Sequence, residues 1–289
     1  MSRSRNPLPN RYRCLCLTTL FVTSLAGTGG AQAPAPPTEP LSGPIPTQVT
    51  VRVVAHKGMV IGDEVGGARV TITNTATGAI LATGLQQGDA GDQTQIMRTP
   101  RLMEEPHYST RPAAAFRTTL SLERPTQVDI TVQGPLAHPS AMQKVSKTIL
   151  LIPGRDITGD GIVMLLHGFI VQIEHPTVSE SLIAKEDVRL RASVRTLSGA
   201  PLRPYSDFDS RKIKIYAELL INGSIKERLQ MFYAGAKGTF EAPFFVPTPA
   251  DAPDGFTIRV IAADEAGSNF GMTEAKYPVL SERLRPRKN

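Results

Sequence analysis

The chain has 289 residues, 40% of them hydrophobic, with 24 glycines, 24 prolines, two cysteines and no tryptophan. Its formal charge of +6 gathers at the two ends, in Arg3, Arg5, Arg11 and Arg13 and again in Arg283, Arg285, Arg287 and Lys288. The stretch between is close to neutral, which excludes the basic footprint of a nucleic-acid binder, and the sparse aromatics weigh against a platform that stacks sugars.

The first elements are an address and a tether. The four early arginines precede an apolar run from Cys14 to Ala26, and the small residues Gly29, Gly30, Ala31 and Ala33 follow. This is the pattern of a secretory signal peptide, expected over residues 1–33, and the run is too short to span a bilayer. Both cysteines, Cys14 and Cys16, fall inside it. The exported chain is therefore expected to carry no thiol, which removes disulfides, cysteine-ligated metals and cysteine nucleophiles together. Pro34, Pro36, Pro37, Pro40, Pro44 and Pro46 predict a stiff linker over 34–47. The expected location is periplasmic or secreted, with no transmembrane segment in the mature chain.

From there the pattern is all-β. Val49, Val51 and Val53 alternate with polar residues, as on a strand with one buried face. Val70, Ile72 and Asn74 alternate likewise, turn at Thr75 to Gly78, and return through Ile80 to Thr83, which predicts a hairpin. The run Gly67 to Gly78 resembles the second strand and turn of the carboxypeptidase-regulatory-like domain, a small transthyretin-like β-sandwich. The resemblance covers Val49 to Leu85 and implies a sandwich with no functional residue to transfer. The chain departs from that family at Gln86 to Pro112, a long loop. Further strands are predicted at Phe116–Leu122, Thr126–Val132 and Val145–Ile152. The apolar runs Ile162–Leu166 and Phe169–Ile173, interrupted at Gly168, read as a buried strand pair or one bulged strand. The first domain is expected over 48–175.

His175-Pro176-Thr177 marks the expected boundary. Val188, Leu190, Ala192 and Val194 share one face of a strand, as do Ile213, Ile215, Ala217, Leu219 and Ile221 of the next. Asn222-Gly223 then suits a type I′ turn. Return strands are predicted at Ile225–Tyr233, Gly238–Val246, Phe256–Ala262 and Met272–Leu280. This spacing is similar to bacterial immunoglobulin-like modules without their disulfide, expected over 176–281, with a basic tail at 282–289. The fold class is thus two tandem β-sandwich domains after a signal peptide and a Pro-rich linker.

Three stretches carry candidate chemistry. Asp156, Thr158 and Asp160, with Gly161 and the Ile162 carbonyl, match the opening of a calcium loop. His167 stands where the closing bidentate carboxylate belongs, so the stretch is either a calcium site completed by a remote carboxylate such as Glu174 or Asp129, or an Asp/Gly turn. Beyond that calcium, no cofactor is expected. The five histidines, His56, His107, His138, His167 and His175, form no metal-binding pair by spacing, and serine-nucleophile and phosphate-loop motifs are lacking. The long loop gathers Arg98, Arg101, Glu104, Glu105, His107, Tyr108 and Arg111, polar and planar groups of the kind that recognition surfaces present.

The sequence thus points to a non-enzymatic protein that engages an envelope protein through loops and sandwich edges, with no nucleic acid involved. Two other readings stand beside it: a calcium-stabilised structural or adhesive module, and an enzyme or enzyme accessory domain with an interdomain site around His167, Glu174 and His175.

Overall fold

In a computed structural model of the protein, residues 43–102, 105–110, 113–180, 182–235 and 237–281 are described. The expected signal peptide, most of the Pro-rich linker, and the basic tail lie outside the described residues.

The first sandwich is built from two sheets. In chain order its elements are β1 (Ile45–Ala55), β2 (Ala68–Asn74), β3 (Ile80–Gln86), the short helix α1 (Gln93–Arg98), β4 (Phe116–Leu122), β5 (Thr126–Gly134), β6 (Gln143–Leu151) and β7 (Ile157–Leu166). One sheet runs β4-β1-β7 and the other β3-β2-β5-β6. The predicted hairpin is present as the antiparallel pair of β2 and β3. Val49, Val51 and Val53 from β1 pack between the sheets against Val70, Ile72, Val128, Ile130 and Val132. This alternation follows from the period of two, which sends successive side chains to opposite faces.

The second sandwich comprises β8 (Phe169–His175), β9 (Leu182–Ile183), β10 (Asp187–Thr196), β11 (Lys214–Ile221), β12 (Ser224–Gln230), β13 (Phe232–Gly235), β14 (Thr239–Phe245), β15 (Phe256–Asp264), β16 (Asn269–Tyr277) and β17 (Val279–Leu280). Its main sheets run β8-β10-β14-β13 and β12-β11-β15-β16, antiparallel throughout. Lettered along the chain, with β9 and β17 set aside, these orders become A-B-E-D and C′-C-F-G, the arrangement of an immunoglobulin-like sandwich. Asn222 and Gly223 both adopt positive φ between β11 and β12, as a type I′ turn requires.

Two strands end in other places than their patterns suggest. Strand β8, expected in the first domain, pairs with β10 of the second sandwich, from Thr196 against Phe169 to Arg191 against His175. The chain therefore crosses between sandwiches at His167-Gly168, eight residues before the expected boundary of 175. An apolar run reports burial and not which sheet supplies it: Ile170 of β8 joins the first core, while Phe169 and Val171 join the second. The predicted strand Ile225–Tyr233 likewise divides at buried Met231, with β12 pairing to β11 and β13 to β14.

The sandwiches share packing. The core of the second extends without a break to Val54, Met59, Val60, Ile96, Ala113 and Ala114 of the first. A large apolar side chain taken fully out of water contributes roughly 1.5–3 kcal/mol, so this junction is part of the stability of the whole unit.

Candidate functional site: the long loop and the bulge that anchors it

The connection from β3 to β4 lies across the outer face of β1. Gln86, fully buried, begins the arrangement. Its carboxamide accepts from Val53 N–H at 2.6 Å and donates to the Val53 and Ile61 carbonyls at 2.9 and 2.8 Å, standing in for a neighbouring strand. Asp63 N–H then donates to the Gly88 carbonyl at 2.8 Å and Ala114 N–H to the Asp89 carbonyl at 2.8 Å, which closes the stem of the loop. Helix α1 follows. Asp92 caps it by accepting from Gln95 N–H at 2.8 Å, and its one buried residue, Ile96, turns inward. Only six residues long, it is too short to show helical periodicity in sequence, though an Asp followed four residues later by an isolated Ile was a signal to read.

Beneath the loop, β7 carries a bulge. Val49 pairs with Ile157 and Val51 with Ile162, so Thr158, Gly159, Asp160 and Gly161 loop out of a parallel ladder. Asp160 turns its carboxylate to the loop and accepts three backbone N–H groups: His107 at 2.8 Å, Tyr108 at 2.7 Å and Ser109 at 2.7 Å. The Arg52 guanidinium takes the bulge's carbonyls. Its Nη1 donates to Gly159 O at 2.8 Å and Asp160 O at 2.9 Å, and its Nε donates to Ala114 O at 3.2 Å. The Arg52 side chain is 1% exposed. Burial pushes its pKa below the ordinary value, with the Asp160 carboxylate opposing and the Arg117 charge adding to the fall.

This geometry places each expected calcium ligand. Asp156 accepts from Gln48 N–H at 2.7 Å, Asp160 is occupied as described, Thr158 is exposed on the bulge, and Ile162 is buried in the first core. The cation among the carbonyls of the bulge is Arg52. A calcium ion needs six to eight free oxygens, and this donor set does not fit one: its anionic oxygens hold N–H groups and its carbonyls hold a guanidinium. No group of three or more His, Asp or Glu suited to a metal occurs among the described residues.

Of the expected recognition residues, Glu104 and Arg111 lie outside the described residues. His107 is an anchor and not a contact: it is buried, and its Nε2 lies 3.0 Å from the Ile96 carbonyl, an acceptor that requires the ring proton on Nε2. Arg101 and Glu105 are exposed, and the Arg101 guanidinium sits over the half-buried Tyr108 ring at 5.7 Å. Arg98 reaches the second sandwich, where its Nε pairs with Asp207 at 3.1 Å, while Gln93 donates to the same carboxylate at 2.7 Å. That shared pairing holds the Asp207 pKa below its ordinary value.

The junction holds a cavity of about 190 Å³ lined by residues including His56, Lys57, Phe169, Phe208, Asp264 and Asn269. Lys57 Nζ pairs with Asp264 at 2.9 Å across it. His56 stacks on His167 with ring centroids 4.1 Å apart, and burial, the His167 charge and Lys57 together depress its pKa. The interdomain residues expected around His167, Glu174 and His175 do not converge. His167 precedes β8 while Glu174 and His175 end it, and an extended strand of that length separates them by roughly 20 Å at ~3.3 Å per residue. His175 instead pairs with Glu180 at 3.1 Å.

No family model matches the chain, and no curated protein matches it. Among solved structures it is similar to the fibronectin(III)-like modules of CbhA from Clostridium thermocellum, at 10% identity over 85% of this chain and 99% of that one, with a TM-score of 0.28. It is also similar to an I-band fragment from titin, at 12% identity over 83% and 67%, with a TM-score of 0.26. Among the described residues, no helix is long and apolar enough to cross a membrane.

Proposed function

We propose that this is an exported, non-enzymatic protein of two β-sandwiches, the first of the carboxypeptidase-regulatory-like kind, that binds a protein partner at the cell envelope through its long loop. The supporting observation is the anchoring of that loop by Asp160. Three N–H groups held by one carboxylate fix residues 107–109, so exposed Glu105 stands two residues from a backbone ordered before binding, and the exposed Arg101 guanidinium lies over the ring of Tyr108 within it. Ordering a flexible loop at the moment of association costs affinity, and a loop fixed beforehand avoids much of that cost. The expected leader of residues 1–33 supports export, and the edges β12 and β13 offer backbone groups for strand addition.

The test leaves the anchor intact. Arg101→Ala with Glu105→Ala, both exposed, removes contact groups without touching Asp160, Arg52 or His107. Cross-linking capture from envelope fractions, followed by a direct binding assay with the recovered partner, should show weakened association at an unchanged melting temperature. Equal binding by the double variant and the native chain would discard the loop as the contact surface.

A further inference from the structure

Behind the anchored loop, the outer face of the β4-β1-β7 sheet holds a cleft of about 510 Å³. Its floor is β1, where Gln48, Thr50 and Arg52 share the face opposite to the core valines. Arg117 of β4 stands beside Thr50 in the register of the sheet. Thr158 and Gly159 of the bulge, together with Ser109 and Thr110 of the loop, complete the walls. Among the described residues the lining includes two arginines, four hydroxyl side chains and two carboxamides, and no carboxylate. Of the acids beside it, Asp160 of the bulge spends both oxygens on the loop, with its Oδ1 4.0 Å from Arg52 Nη1, and Asp156 accepts from Gln48 N–H at 2.7 Å.

Arg52 is what makes this more than a polar hollow. Nε and Nη1 are used by the carbonyls of Ala114, Gly159 and Asp160, but no hydrogen bond among the described residues uses Nη2. A guanidinium that is almost wholly buried thus has, among the described residues, one nitrogen without a partner, beside a cleft that holds a second arginine. Two cations that face one cleft repel, and the effect of Arg117 on Arg52 is in that direction. An anion between them would remove the repulsion and give Nη2 an acceptor. Charge-assisted bonds from arginine to an oxyanion are the strong, geometrically matched kind.

We propose that this cleft binds a small oxyanion, a phosphate or the carboxylate of an acidic sugar, between Arg52 and Arg117, with the Thr50, Ser109 and Thr158 hydroxyls as further donors. The site stands apart from the partner surface proposed above, since it uses neither Arg101 nor Glu105.

The test is isothermal titration of the full chain with inorganic phosphate and, separately, sodium glucuronate, against sodium chloride at matched ionic strength. The variants are Arg117→Gln and Thr158→Val, both at exposed positions, and Arg189→Gln on the second sandwich serves as control. Native chain and control should bind at least one probe saturably at millimolar concentration, and Arg117→Gln should weaken binding about tenfold or more. Phosphate binding alone would assign a phosphoryl ligand, glucuronate alone a carboxylated one, and binding of both would assign the oxyanion itself. Absence of heat with either probe, or equal affinity in native, Arg117→Gln and Thr158→Val chains, would overturn the proposal.

Discussion

Arg52 and Asp160 lie 4.0 Å apart beneath the long loop, yet each spends its hydrogen bonds on backbone and not on the other. The arginine satisfies carbonyls of the bulge and the carboxylate satisfies N–H groups of the loop. Between them the two side chains replace the ladder partners that an irregular backbone lacks, since buried polar groups without partners are costly.

Asp160→Ala should therefore loosen the loop before it unfolds the protein. Three N–H groups lose a charged acceptor, and a cost of about 2–4 kcal/mol is expected by denaturant titration. Hydrogen exchange should quicken first at residues 107–109. Protection there that matches the native chain would show that Asp160 is not the anchor.

The two glycines of the bulge should respond differently to alanine. Gly159 and Gly161 both take positive φ, but a Cβ at Gly159 meets open space, whereas one at Gly161 collides with the Thr50 carbonyl. Gly159→Ala is expected to cost about 1 kcal/mol from conformation alone. Gly161→Ala adds displacement of β1 and should cost at least ~2 kcal/mol more, in the range of severe single substitutions. Equal melting temperatures for the two variants would contradict the packing described.

Calcium should leave the protein unchanged. With Arg52 seated among the carbonyls and Asp160 committed to the loop, excess calcium is expected to produce neither heat on titration nor a shift in melting temperature, and prior chelation should not lower it. A calcium-dependent rise that Asp160→Asn abolished would restore the calcium-stabilised module.

Stability should fall as the pH drops below the ordinary histidine value of 6.5. His56 has a depressed pKa in the folded chain, through burial first and then the His167 and Lys57 charges, and His138 is depressed by burial and Arg195. The unfolded chain then takes up protons before the folded one does, so stability declines from that value downward until the folded histidines titrate. Asp264 extends the decline at lower pH. Burial raises its pKa, but the Lys57 hydrogen bond and the Gly267 N–H prevail and hold it below 3.8, so its contribution disappears as pH falls through that depressed value. His56→Gln should flatten part of the upper segment of a melting-temperature profile. An unaltered slope in that variant would place the pH dependence elsewhere.

The alternation of Val49, Val51 and Val53, the pair of strands around Asn74 to Ala79, the Asn222-Gly223 turn and the strands Asp187–Thr196, Lys214–Ile221, Thr239–Phe245 and Phe256–Asp264 were legible in order of residues, because a period of two and a turn's demand for positive φ are local properties. The all-β class and the paired sheets follow from them. Three features were decided only by tertiary structure. Phe169–His175 and Phe232–Gly235 belong to sheets that an apolar pattern does not name, since alternation tells which face is buried and not which neighbour buries it. Arg52 reads in sequence as a solvated strand residue, and only the loop laid over β1 makes it an interior cation. Asp160 reads as a metal ligand because an oxygen-rich turn suits any positive group, and long-range packing decided that its oxygens would hold backbone N–H groups contributed from more than fifty residues away.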